Sequence, residues 1–120
     1  MRKHTSGPWH ISSHSCEYGS VVADTPCREP KSERDVARDL DEVNSYGGYL
    51  IAESIAPQNR PLIAAAPALY DACQDAHRLL TVARELSDRR MAEQVVALAA
   101  VRLDCVTRDV DGAETEVSNG

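Results

Sequence analysis

The longest unbroken alternation of apolar and polar positions runs from residue 59 to 87. From Pro67 onward, Leu69, Cys73, Ala76, Leu80 and Ala83 recur at spacings of three and four, which places them on one face of a helix. Ala72, Leu79 and Leu86 widen that face, and Asp71, Gln74, Asp75, Arg78 and Arg84 fall mostly on the other side. Two prolines punctuate the stretch. Pro61 suits a first helical turn, with Asn59 as its cap. Pro67 lacks an N–H and clashes with the preceding turn, so it should break the segment. The pattern predicts a short helix over 62–66, a restart at Pro67, and an Ala64–Ala65–Ala66 turn small enough for another backbone to approach, namely the strand at 49–54.

A second periodic stretch covers 88–108, with Ser87 and Asp88 as the break and cap. Met91, Val95, Leu98, Ala99, Leu103 and Val106 recur, and Val96 and Ala100 broaden the arc beyond what one packing face requires. Two such helices with a short connection predict an antiparallel αα-hairpin. The surplus apolar arc should cover a sheet or form a dimer seam, so a homo-oligomer through the 88–108 helix is expected. Residues 109–120 carry four acids and no base, the composition of a disordered acidic tail.

Ahead of the helices the period shortens. Residues 8–13, with Trp9-His10-Ile11-Ser12 alternating, residues 19–24 (GSVVAD) and residues 48–54 (GYLIAES) read as strands bounded by turn residues. Trp9 should be largely buried. Residues 28–44 are dense in both charge signs and read as a mobile loop. The alternative is a short surface helix carrying Val36, Leu40 and Val43. The resulting expectation is an α+β fold within a single domain over 1–108: a small antiparallel sheet of about three strands, a Pro-kinked helix, and a second helix completing the hairpin.

Composition narrows the function. Net charge is −6 and the pI about 5.1, which disfavours nucleic acid and anionic membranes as partners. No apolar run reaches the roughly 20 residues of a membrane span, and the start MRKHTSGPWH has no apolar segment behind it. A cytoplasmic protein with four reduced cysteines is expected.

Two stretches together look familiar. Thr5-Ser6-Gly7-Pro8-Trp9 resembles the TPGPW opening of a widespread family of small phage and prophage proteins. The segments GYLIAES (48–54) and NRPLIAAAPAL (59–69) resemble that family's strand and its NARLIAAAPELL-type helix start. Pro61 stands where Arg is usual. The resemblance implies phage origin and no known reaction, and the shared residues are those of a scaffold.

Candidate chemistry is sparse. His10, His14, Cys16 and Cys27 have the types, though not the paired spacing, of a zinc set. Cys16 and Cys27 could instead pair as a disulfide. Cys73 and His77, four apart, could make a thiolate nucleophile, but Cys73 lies in the apolar stripe and reads as core packing. Acid groups such as Asp39 with Asp41 and Glu42, or Asp71 with Asp75, sit in solvated faces. No phosphate loop, HExxH or GxSxG is present. For ligand binding, Tyr46 and Tyr49 flank a Gly-Gly turn, and Arg34 and Arg38 lie in the charged segment, which is the first choice for a recognition surface. The sequence thus predicts a non-catalytic, cofactor-free phage accessory protein that binds a host protein or a small signalling molecule, with counter-defence as its use. The alternatives are a self-associating structural or regulatory protein, and a zinc-stabilised module or cysteine-dependent enzyme.

Overall fold

Strand β1 (Trp9–Ile11), β2 (Ser20–Ala23) and β3 (Tyr49–Glu53) form one antiparallel sheet in the order β1-β2-β3. The structure is a computed structural model that describes residues 4–13 and 19–119, with side chains described to residue 112. β2 is central and all four of its residues are buried, so its apolar run SVVA needs no polar face. Its register against β3 shifts between Val21 and Val22, where β3 contributes one extra residue. Gly48 makes the pairing possible. A Cβ there would lie 2.9 Å from both the Val22 Cβ and the Ala23 carbonyl oxygen.

The connection from β2 to β3 contains helix α1 (Glu33–Tyr46), so of the two expectations for the charged segment the surface helix holds and the mobile loop that its charge density predicts does not. Its ends explain why. The Ser32 hydroxyl accepts a hydrogen bond from the Asp35 amide (3.2 Å), and the Asp35 carboxylate accepts one from the Lys31 amide (3.2 Å), a reciprocal cap. At the other end Gly47 adopts φ 79° and its N–H bonds to the Val43 carbonyl (2.8 Å).

After β3, a 3₁₀ turn (Pro57–Asn59) leads into α2 (Arg60–Ala64). Pro61 sits in its first turn, as expected, but the Asn59 side chain makes no capping bond. The chain breaks at Ala65, two residues before Pro67, and restarts as α3 (Ala66–Glu85) with Pro67 in its first turn, where a missing N–H costs nothing. The buried face of α3 is Ala72, Ala76 and Ala83, and Cys73 and Leu80 lie outside it. The core expectation for Cys73 is thereby corrected: the true stripe is rotated toward the small residues. Trp9 is half-buried, not largely buried.

Helix α4 (Arg89–Asn119) begins at Asp88, whose carboxylate accepts from the amides of Arg90 (2.9 Å) and Met91 (3.2 Å). It packs antiparallel on α3 through Ala99 and continues past the break at Ala65 to reach α2 and the 3₁₀ turn, facing β1 across a groove. The helix end expected at 108 is therefore too early. Val106 and Val110 are one turn apart and both buried, so the apolar stripe extends into the acidic stretch that composition alone assigns to a disordered tail. Among the described residues no helix is long and apolar enough to cross a membrane.

Candidate functional site

The two sequence stretches with family character meet in space. A Cβ on Gly7 would lie 2.6 Å from the Pro67 Cβ, so the N-terminal turn is pressed against the first turn of α3. Trp9 is steadied by its indole N–H, which donates to the Thr5 carbonyl oxygen (3.3 Å). Beside this contact opens a groove of about 420 Å³. Pro8, Trp9 and Ile11 form one wall, the Ala64–Ala65 turn with Pro61, Pro67 and Ala68 the floor, and Val106 and Val110 of α4 the other wall. Among the described residues, only His10 and Asp109 bring polar side chains other than the indole N–H to its lining. The alanines create the space: larger residues at 64, 65 and 68 would fill it. A groove so lined can bury apolar side chains. It offers no nucleophile with an adjacent base.

A second, smaller cleft of about 260 Å³ lies between the N-terminal segment, the loop after β2, α1 and β3. It is lined by Thr5, Pro26, Cys27, Arg28, Arg38, Asp39, Glu42, Tyr49 and Leu50. Arg38 and Tyr49 are thus brought together, as a ligand site requires. Tyr46 and Arg34 are not. The Tyr46 hydroxyl donates to Glu53 (3.0 Å), and Arg34 lies exposed on α1 away from the lining. Arg38 is itself balanced by Asp35 (3.6 Å) and Asp39 (3.9 Å), and Glu42 accepts the Leu50 amide (2.5 Å), so the acids here serve structural contacts. Arg28 and Cys27 are lining residues that pattern reading did not assign to this cleft. Their sequence signal is only a Pro-flanked loop, which fixes no direction.

The metal candidates divide. His10 on β1 stands 3.7 Å from Asp24 and lines the groove, whereas Cys27 is an exposed free thiol at the other cleft. His14 and Cys16, and with them the Cys16–Cys27 pairing, lie outside the described residues. Among the described residues no three His, Cys, Asp or Glu side chains are grouped to hold a metal ion. Cys73 and His77 line a shallow surface depression with Tyr70, Gln74 and Arg78.

The family model of Salmonella phage P22 protein Y8K6 matches residues 1–104. The chain belongs to this phage protein family. The match spans both the Gly7–Trp9 turn and the Ala64–Pro67 break, the elements that meet at the groove. Comparison with curated proteins and with solved structures returns no match.

Proposed function

We propose that this phage protein acts by binding, not by catalysis, and that the apolar groove between β1, the α2–α3 break and the end of α4 receives an apolar segment of a host protein. The observation that carries this reading is the groove's composition. Prolines, alanines, Trp9, Ile11 and two valines line it, and Pro8, Trp9, Pro61, the alanines and Pro67 come from the stretches that resemble the phage family. A surface of this kind gains affinity by removing apolar area from water, at about 25 cal/mol per Å². In a phage-derived protein the use that fits is counter-defence, in which a host immune protein is held inactive. The test pairs phage plating on hosts carrying defence systems with pull-down of the host partner, comparing the wild type with Ala68→Arg and Ile11→Glu. Both positions are exposed, so both variants should keep the wild-type circular dichroism spectrum while losing protection and the partner together. Full protection by well-folded variants would overturn the groove as the site. Turnover of a substrate by the purified wild type would overturn the non-catalytic reading.

A second reading rests on Arg28, Arg38 and Tyr49 converging in the smaller cleft, which could sequester a small anionic signalling molecule with an aromatic base stacked on Tyr49. It predicts retention of nucleotide-type metabolites that Arg38→Ala abolishes.

A further inference from the structure

Helix α4 has a second apolar stripe that stands exposed among the described residues. Val95, Ala99, Leu103 and Val106 turn inward. Met91, Leu98, Val101 and Cys105 occupy a face turned away from them, spaced seven, three and four apart, with Gln94 completing the run. This is the spacing of a coiled-coil seam. Its members are exposed, Met91 by 52%, Leu98 by 60% and Val101 by 59%, in the middle of a well-formed 31-residue helix.

We propose that this seam pairs with the same seam of a second copy, giving an antiparallel two-fold dimer. Three observations point to a second copy as the occupant. The first is area. The chain exposes 8891 Å², against about 6,400 Å² for a compact monomer of its 13.1 kDa mass. That surplus exceeds the roughly 800 Å² that each partner covers in a standard interface. The second is shape. The radius of gyration is 18.4 Å and the thinnest extent 14 Å, where a compact chain of this length has a radius near 14 Å. A thin slab becomes compact by stacking on its own image. The third is charge. At the start of α4 Arg89 and Arg90 outnumber Glu93, which pairs with Arg89 (3.1 Å); toward its end Asp104, Asp109 and Asp111 outnumber Arg108, which pairs with Asp104 (2.8 Å), while Arg102 is turned to Asp75 of α3 (3.5 Å). Antiparallel pairing sets the basic end of one helix beside the acidic end of the other, and parallel pairing would set the acids together. In the antiparallel register Leu98 packs against Val101 of the second copy, and Gln94 lies opposite Cys105 of the second copy.

Sedimentation equilibrium of the full chain tests the proposal. The wild type is expected at twice 13.1 kDa. The Leu98→Glu/Val101→Glu variant, altered only at exposed positions, is expected to remain helical and to associate at least roughly tenfold more weakly. A wild type that sediments as a monomer at all concentrations, or a dimer that the double variant leaves intact, would overturn it. Orientation is read by mild oxidation in a Cys16→Ser/Cys27→Ser/Cys73→Ser background. Gln94→Cys should give a covalent dimer there, and Cys105 alone should not, because antiparallel pairing separates the two Cys105 sites by about 16 Å along the axis. Efficient crosslinking through Cys105 alone would overturn the antiparallel arrangement.

Discussion

The sheet and the helical hairpin solve the same problem in opposite ways. In β2, Val21, Val22 and Ala23 are wholly enclosed, with β1 and β3 on either side and α2 packed against the strand. In the hairpin the enclosed residues are mostly small, Ala72, Ala76, Ala83 and Ala99, with Val106 and Val110 added at the groove end of α4, while Leu80, Val82, Met91, Leu98 and Val101 stand in solvent. Alanine at the contact lets two helices approach closely, but each buried alanine removes little apolar area from water. The central strand is thus complete within one chain, and the hairpin, like the groove that it shares with β1, retains apolar surface for something else. The difference separates residues that hold the fold from residues available for recognition.

The largest expected effect tests the first half of that contrast. Val22→Asp would bury a charge at a fully enclosed position and should destabilise by about 4–5 kcal/mol or more, read as loss of the cooperative denaturant transition. Gly7→Ala tests the junction between the two regions. Its new methyl collides with Pro67, and overpacking there should cost about 1–3 kcal/mol by urea denaturation. Ser20→Ala should work in the opposite direction. The Ser20 hydroxyl is buried and meets no hydrogen-bond partner among the described residues, so removing it should stabilise by about 1 kcal/mol. A loss of stability would mean that the hydroxyl is satisfied after all. Leu98→Glu tests the second half: on a monomer it should change stability by no more than about 0.5 kcal/mol, and a larger monomer effect would erase the contrast.

The smallest effect concerns how the two hairpin helices are aligned. Asp75 of α3 is hydrogen-bonded to Arg78 on its own helix and lies 3.5 Å from Arg102 on α4. The Arg78 hydrogen bond is the largest influence; desolvation pushes upward next, and the charge of Arg78 with the hydrogen bond and charge of Arg102 then hold the carboxyl below the usual value of 3.8. A lowered native value means that the carboxylate contributes stability above the ordinary carboxylate range and loses it as pH falls through the lowered value. Asp75→Asn should therefore melt slightly below the wild type at neutral pH, and the two melting curves should converge in acid. A gap that persists in strong acid would assign the effect to packing instead of charge.

Most of the fold is legible in the sequence because its signals are local. The three strands, the proline break and the two long helices follow from period and punctuation, and the observed strand limits lie within the expected ones. Helix α1 is legible only as the alternative to a loop, the surface helix carrying Val36, Leu40 and Val43, because charge density masks a good local signal, Ser32 with Asp35 three residues on and Gly47 at the far end. The rotation of the α3 stripe toward Ala72 was hidden for a different reason. Hydropathy ranks leucine and cysteine above alanine, but a close helix contact selects for small size. The extension of α4 depends on Val110 being buried at the groove that it shares with α2 and β1, a juxtaposition far apart in sequence. The groove was legible only in its parts. The Gly-Pro-Trp turn and the triple alanine are evident to the eye, yet nothing along the chain says that they touch. Arg38 and Tyr49 are evident as individual residues, but only the fold brings them together.

The Gly7–Pro67 contact also bears on the history of the sequence. Sixty positions apart, the two residues share one small volume, so neither can change freely while the other stays. Relatives with a side chain at the first position should carry a smaller or differently shaped residue than proline at the second. Such paired substitutions would record, across generations of phages, the selection that kept the mouth of the groove open.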